Sequence, residues 1–182
     1  MRTRFLLASL ALSLAAPAGA ALAPGAKAPD FSASGAIAGK PVTLSLKAAL
    51  KKGPVVLYFF PAAFTSGCNA EAHAFAEALP DFTAAGATVI GMTAGNVDQL
   101  QKFSSEHCAG KFAVAAASPQ IVKGYDVILK RPDGSVAKVT SRTSYVIAPD
   151  GRILFAHDDM SPADHVRLTL AAVQKYKATR RH

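Results

Sequence analysis

Six consecutive apolar residues, Val55, Val56, Leu57, Tyr58, Phe59 and Phe60, constrain this chain more than any other feature. The run is β-branched and aromatic, and is bounded by Gly53-Pro54 and by Pro61. It is too short for a buried helix. It predicts a central strand covered on both faces, which in turn requires helices on each side of a sheet.

The rest of the chain supplies those helices. Residues 68–79 carry Ala72, Phe75, Ala76 and Leu79 on one helical face, with Pro80 expected to end or kink the helix. Residues 87–92 read as a second buried strand. Asn96 is expected to cap the next helix, with Gln99 three residues on; Leu100, Ser104 and Cys108 share a face, beside Val97 and Phe103. That helix should stop near Ala109-Gly110. A short helix is expected from Pro119, a surface hairpin around Arg131-Pro132-Asp133-Gly134, and a second hairpin through Ala148-Pro149-Asp150-Gly151. Ser161 and Pro162 read as cap and first position of a last helix, with Val166, Leu170 and Val173 as its buried stripe. Residues 42–46 alternate as a half-buried strand does. Strand–helix–strand order implies a parallel core, and the late hairpin adds antiparallel strands. The fold class is therefore α/β: a thioredoxin-like fold with a mixed central sheet flanked by helices.

The 182 residues suffice for one domain, expected over 21–182. Ahead of it, residues 1–20 read as a signal peptide that is removed. Arg2 and Arg4 form a positive start, residues 5–16 an apolar stretch, and Ala18-Gly19-Ala20 a small-residue cleavage site. Pro17 interrupts the stretch well short of the roughly 20 residues a membrane anchor needs. The expectation is export, into a bacterial periplasm, with no membrane association after cleavage. Of the +8 formal charge, Arg2 and Arg4 leave with the leader. The remaining positive residues are scattered without interleaved aromatics, which argues against nucleic-acid binding. The basic C-terminus from Lys175 reads as frayed.

There are two cysteines, Cys68 and Cys108, and their number alone does not separate a structural bridge from a redox pair. Cys68 follows a buried strand at the expected start of a helix. Unpaired N–H groups and the positive helix end there favour a thiolate, which is the nucleophile. The stretch Pro61-Ala62-Ala63-Phe64-Thr65-Ser66-Gly67-Cys68 has the form Pro-x-x-x-Thr-x-x-Cys.

That stretch resembles the peroxiredoxin signature. The likeness extends to Gly25-Ala26-Lys27-Ala28-Pro29-Asp30-Phe31, to the strand leading into Pro61, and to Arg142-Thr143-Ser144-Tyr145-Val146-Ile147-Ala148-Pro149-Asp150-Gly151. Cys68-Asn69-Ala70-Glu71-Ala72 is similar to the bacterioferritin-comigratory, or PrxQ, subgroup. The resemblance implies a thiol peroxidase without cofactor or metal. Cys68 is its nucleophile, Thr65 places a hydroxyl near sulfur and peroxide, Arg142 stabilises the thiolate and polarises the O–O bond, and Pro61 walls the pocket. Its partners are a peroxide and a thioredoxin-like or other thiol reductant; a monomer is expected, with a dimer as the alternative.

The subgroup often carries a resolving cysteine five residues after the nucleophile, where this chain has His73. Cys108 is then the resolving thiol the resemblance suggests. A one-cysteine cycle and an intermolecular bridge stay open. Glu71 reads as a local partner rather than a catalytic group, His107 as a solvated helix end, and His157, Asp158 and Asp159 as an acidic approach to the last helix. Two other classes compete: an exported thiol-redox or metal-delivery protein of thioredoxin fold, which would need paired cysteines two or three residues apart, and an inactive binding module with a structural disulfide.

Overall fold

The computed structural model describes residues 21–180; the signal segment expected over 1–20 lies outside the described residues. Strands β1 (Ser32–Ile37), β2 (Lys40–Ser45), β3 (Val55–Phe59), β4 (Thr88–Thr93), β5 (Ala113–Ala116), β8 (Thr143–Ile147) and β9 (Ile153–Asp158) form one sheet. Its order is β2-β1-β5-β4-β3-β8-β9. β3, β4 and β5 run parallel, and β8 pairs antiparallel with β3. β6 (Ile128–Lys130) and β7 (Val136–Thr140) make the separate surface hairpin.

The helices are α1 (Leu46–Leu50), α2 (Ser66–Ala84), α3 (Leu100–Glu106), α4 (Pro119–Gly124) and α5 (His165–Thr179). Two apolar cores lie on opposite faces of the sheet. The alternation of β3 divides its side chains between them: Val56, Tyr58 and Phe60 go to one, Val55, Leu57 and Phe59 to the other. This is why all five residues of β3 are buried, as the sequence required. The first core holds both cysteines and the apolar face of α2. There Tyr58 stacks on Phe75 with ring centroids 4.3 Å apart. Gly91 of β4 leaves room for that ring, since a Cβ on it would lie 2.9 Å from the phenol.

Several expected boundaries are corrected. Pro80 neither ends nor stops α2, which continues to Ala84. Tertiary packing of Phe82 in the core outweighs the one backbone bond that proline removes. Asn96 does take the cap position, but of a 3-10 turn that leads into α3, and its side chain makes no cap bond. Its backbone is left-handed and its side chain donates to the Ala63 carbonyl at 2.8 Å. A 3-10 turn, Val97–Gln99, precedes α3, and this leaves Val97 exposed rather than on the buried face. Ser161 and Pro162 lie ahead of α5, which begins at His165. Its fully buried positions are His165, Thr169 and Val173, with Val166 and Leu170 only partly covered. The basic end from Lys175 is helical through Thr179. The N-terminal segment supplies a strand, β1, that its small residues did not announce.

Candidate active site

The loop between β3 and α2 is fixed before the helix begins. Ala62 bridges to Gly95, and Thr93 Oγ1 donates to the Pro61 carbonyl at 2.9 Å. Phe64 takes a left-handed backbone, and its ring packs edge-on against Phe103 and His107 at the end of α3. His107 is therefore an aromatic neighbour of this loop rather than a free solvated cap.

Asn69 N–H donates to the Thr65 carbonyl at 2.8 Å, the first bond of α2. The N–H groups of Ser66, Gly67 and Cys68 lie ahead of it, at the positive end of a 19-residue helix. Cys68 is buried there, with 1% exposure.

Arg142 reaches this sulfur from the short link between β7 and β8. Its Nη2 lies 3.6 Å from Cys68 Sγ. The rest of the guanidinium is held on two further sides: Nη1 donates to Glu71 Oε2, and Nε donates to the Met160 carbonyl at 2.9 Å. Three separate partners thus leave the fork one orientation. Both Arg142 and Glu71 are almost wholly buried. Burial pushes the Glu71 carboxyl up to about 7, against the opposing pull of Arg142.

Thr65 is placed differently from expectation. It occupies the cap position of α2 and is exposed, but its hydroxyl donates to the Ala62 carbonyl at 3.0 Å rather than to the Cys68 sulfur. A carbonyl three residues back is the nearest acceptor for a short hydroxyl side chain. Pro61 is half-buried at the end of β3. The structure therefore brings Cys68 and Arg142 into contact, with Pro61 and Thr65 on the same connecting loop.

Cys108 sits just beyond α3 and is fully buried in the same core as Cys68, and both are free thiols. Burial pushes the Cys108 thiol up to about 12. Among the described residues no group of three His, Cys, Asp or Glu side chains is placed to hold a metal ion. Asp158 and Asp159 are instead spent locally: Asp158 accepts from Thr143 Oγ1 at 2.9 Å, and Asp159 accepts from the Ser161 N–H at 2.8 Å, while the His157 ring packs on His165.

Glu71, expected as a local partner, is paired with Arg142. It lies three residues after Cys68, hence on the same helix face, and that spacing was readable. Ser144, His165 and the Met160 carbonyl, which complete the surroundings of Arg142 and Glu71, had no signal in the sequence.

Gly67 gives a local test. A Cβ there would lie 3.2 Å from Arg142 Nη2, and the three-point hold on Arg142 leaves it no easy retreat. Gly67→Ala should slow the chemistry of the Cys68 sulfur by roughly tenfold, by displacing the guanidinium a few tenths of an ångström. It should leave the melting temperature near the wild-type value, because alanine also favours the helix by up to about 1 kcal/mol. Kinetics of Cys68 oxidation alongside a thermal melt measure both; an unchanged rate would mean that the Arg142 position is not critical.

A thioredoxin-type sheet, a buried cysteine opening a long helix, and an arginine fixed against its sulfur define a thiol-chemistry enzyme. Comparison with known proteins says which. Residues 24–156 match the AhpC/TSA family. The chain is 29% identical over 140 residues to the chloroplastic peroxiredoxin Q of Sedum lineare, covering 76% of this chain and 72% of that protein. It is 27% identical over 123 residues to peroxiredoxin Bcp of Xanthomonas campestris, covering 67% and 77% respectively. Among solved structures it is similar to peroxidoxin BcpB from Mycobacterium tuberculosis, with a TM-score of 0.72, 26% identity, and coverage of 84% of this chain and 96% of that one. The chain belongs to the AhpC/TSA family and is a peroxiredoxin, a thiol peroxidase of the oxidoreductase class.

Proposed function

We propose that Cys68 is the peroxidatic nucleophile, that the enzyme reduces hydrogen peroxide and organic hydroperoxides, and that Cys108 resolves the oxidised sulfur. The observation that carries this is the 3.6 Å approach of Arg142 Nη2 to Cys68 Sγ at the first turn of α2. The Cys68 thiolate attacks the nearer peroxide oxygen. The O–O bond breaks, Cys68 becomes a sulfenic acid, and the alkoxide or hydroxide that leaves takes a proton from water. Arg142 and the N–H groups opening α2 face the charge that moves onto the oxygens. Pro61, without an N–H, walls the loop side, and Thr65 turns its hydroxyl from the Ala62 carbonyl toward the bound peroxide.

Resolution joins Cys108 to Cys68 as a disulfide with loss of water. An external dithiol, thioredoxin-like or other, then returns both sulfurs to thiols as it is itself oxidised. Two observations support Cys108. It shares one core cluster with Cys68, and Phe64, from the loop before Cys68, packs on the same end of α3. Both thiols are buried, and the high position of Cys108 disfavours its thiolate in the closed fold. Resolution therefore requires the first turn of α2 and the end of α3 to open locally, bringing the Cα atoms within about 7 Å. Export with cleavage after Ala20, into a periplasm, belongs to the same proposal and rests on the character of residues 1–20.

The test is one equivalent of peroxide on the purified protein and on Cys108→Ser, followed by mass and free-thiol measurement. The expected product is an internal disulfide in the wild type, and a persistent sulfenic acid in the variant. Identical oxidation products in the two would reject Cys108 and leave a one-cysteine cycle.

A further inference from the structure

Behind Arg142, on the side away from Cys68, lies a group of buried polar side chains that the reaction above does not use. His165, the first residue of α5, is wholly buried. Its Nε2 lies 2.8 Å from the Asp159 carbonyl, which can only accept, so Nε2 carries the hydrogen. In the neutral ring Nδ1 then holds a lone pair. Ser144 Oγ lies 2.8 Å from Nδ1 and donates its hydroxyl to it. Glu71 Oε1 lies 3.7 Å from the same Nδ1 and, among the described residues, has no hydrogen-bond partner. The His157 ring packs edge-on against His165 with centroids 4.6 Å apart, and its Nε2 is also buried without a partner among the described residues.

A buried carboxylate oxygen that faces an imidazole lone pair is repelled by it. One proton held between the two groups removes the repulsion. Burial acts on both in the sense that disfavours charge: it pushes Glu71 up to about 7 and His165 down to about 4. The charged and titratable groups around them are few. Arg142 faces Glu71 from the link before β8, His157 comes from β9, and Asp159 follows β9. Tyr58 of β3 and Cys68 of α2 lie on the core side. Asp164 and Arg167 of α5 pair with each other in solvent, as do His73 and Glu77 of α2.

We propose that His165 is a positioning residue for sulfur oxidation: through Ser144 and a shared proton it governs Glu71, which in turn fixes Arg142 against Cys68. The inference rests on the peroxidase reading of Cys68 given above. An ionised Glu71 is a strong acceptor for Arg142 Nη1 and anchors the fork. A protonated Glu71 is a weaker one and lets the fork leave the sulfur. The rate of Cys68 oxidation then has an acid limb that belongs to the Glu71–His165 pair, in addition to the titration of the sulfur itself.

The experiment is the pH profile of single-turnover Cys68 oxidation by excess hydrogen peroxide, in the purified protein and in Ser144→Ala, His165→Gln, Glu71→Gln and the Ser144→Ala/His165→Gln double variant. Ser144→Ala is a small change that should fold normally, and it frees Nδ1 to share the proton with Glu71. Its acid limb should move up by about half a pH unit or more, with the rate at high pH within about threefold of wild type. The limb should vanish in Glu71→Gln. In the His165→Gln background, Ser144→Ala should no longer shift the profile. A Ser144→Ala profile that superimposes on wild type, or a shift that persists without His165, overturns the proposal and leaves the peroxidase reading intact. A wild-type protein whose Cys68 thiol survives excess peroxide overturns the peroxidase reading itself, and this inference with it.

Discussion

Replacing Cys68 by serine should abolish peroxide consumption, lowering the rate by more than about a thousandfold. Loss of an enzyme's nucleophile has costs of at least that order, and a serine hydroxyl does not ionise near neutral pH to replace a thiolate. The substitution is close to isosteric at a site with 1% exposure, so the core around Ala72 and Phe75 should stay packed. The thermal midpoint should move by only a few degrees, as for a change of about 1 kcal/mol. Activity and stability therefore separate in this variant. A reductant-coupled peroxide assay and a melt on the same sample check both. Peroxide turnover that survives in Cys68→Ser would place the chemistry elsewhere.

Replacing Arg142 by methionine should damage both properties at once. The side chain is 5% exposed and, among the described residues, its only salt-bridge partner is the buried Glu71, so removal strands a carboxylate in the core. Breaking one half of a buried pair typically costs about 3–5 kcal/mol. Part of that is relieved because Glu71, already pushed up by burial, takes a proton instead. The rate should fall by about a hundredfold or more, the scale seen when one preorganised donor is lost from a charged transition state. The double variant Glu71→Gln/Arg142→Met tells the two effects apart. It should recover most of the lost stability, because no buried charge is left unpaired, and none of the lost rate, because no guanidinium faces the sulfur. Denaturant unfolding and single-turnover oxidation measure the two. Recovery of rate in the double variant would mean that Arg142 acts only by neutralising Glu71.

The reach of the sequence follows the physics of each element. β3 was legible because an unbroken β-branched and aromatic run has few other uses. The Ala148-Pro149-Asp150-Gly151 hairpin was legible because turn residues act locally. Cys68 and Arg142 were legible because their surroundings resemble a known site. Other features depend on contacts between segments distant in sequence. Pro80 stays inside α2 because Phe82 is needed in the core, which no local rule for proline reports. Asn96 holds the cap position, but its side chain serves the Ala63 carbonyl, 33 residues earlier. His165 lies on a helix whose start was misread by a few residues, and its partners come from β8 and from the residue after β9. The Thr65 hydroxyl bonds the Ala62 carbonyl of its own loop, a choice between local acceptors that the sequence pattern does not report.

The most direct measurement is the mass of the Cys108→Ser protein, digested after a brief exposure to one equivalent of hydrogen peroxide with a sulfenic-acid trap present. The trap should appear on the peptide that contains Cys68, at near-stoichiometric yield and in seconds. That yield should collapse when Arg142 is methionine. An untrapped Cys68, or equal trapping with and without Arg142, would contradict the mechanism.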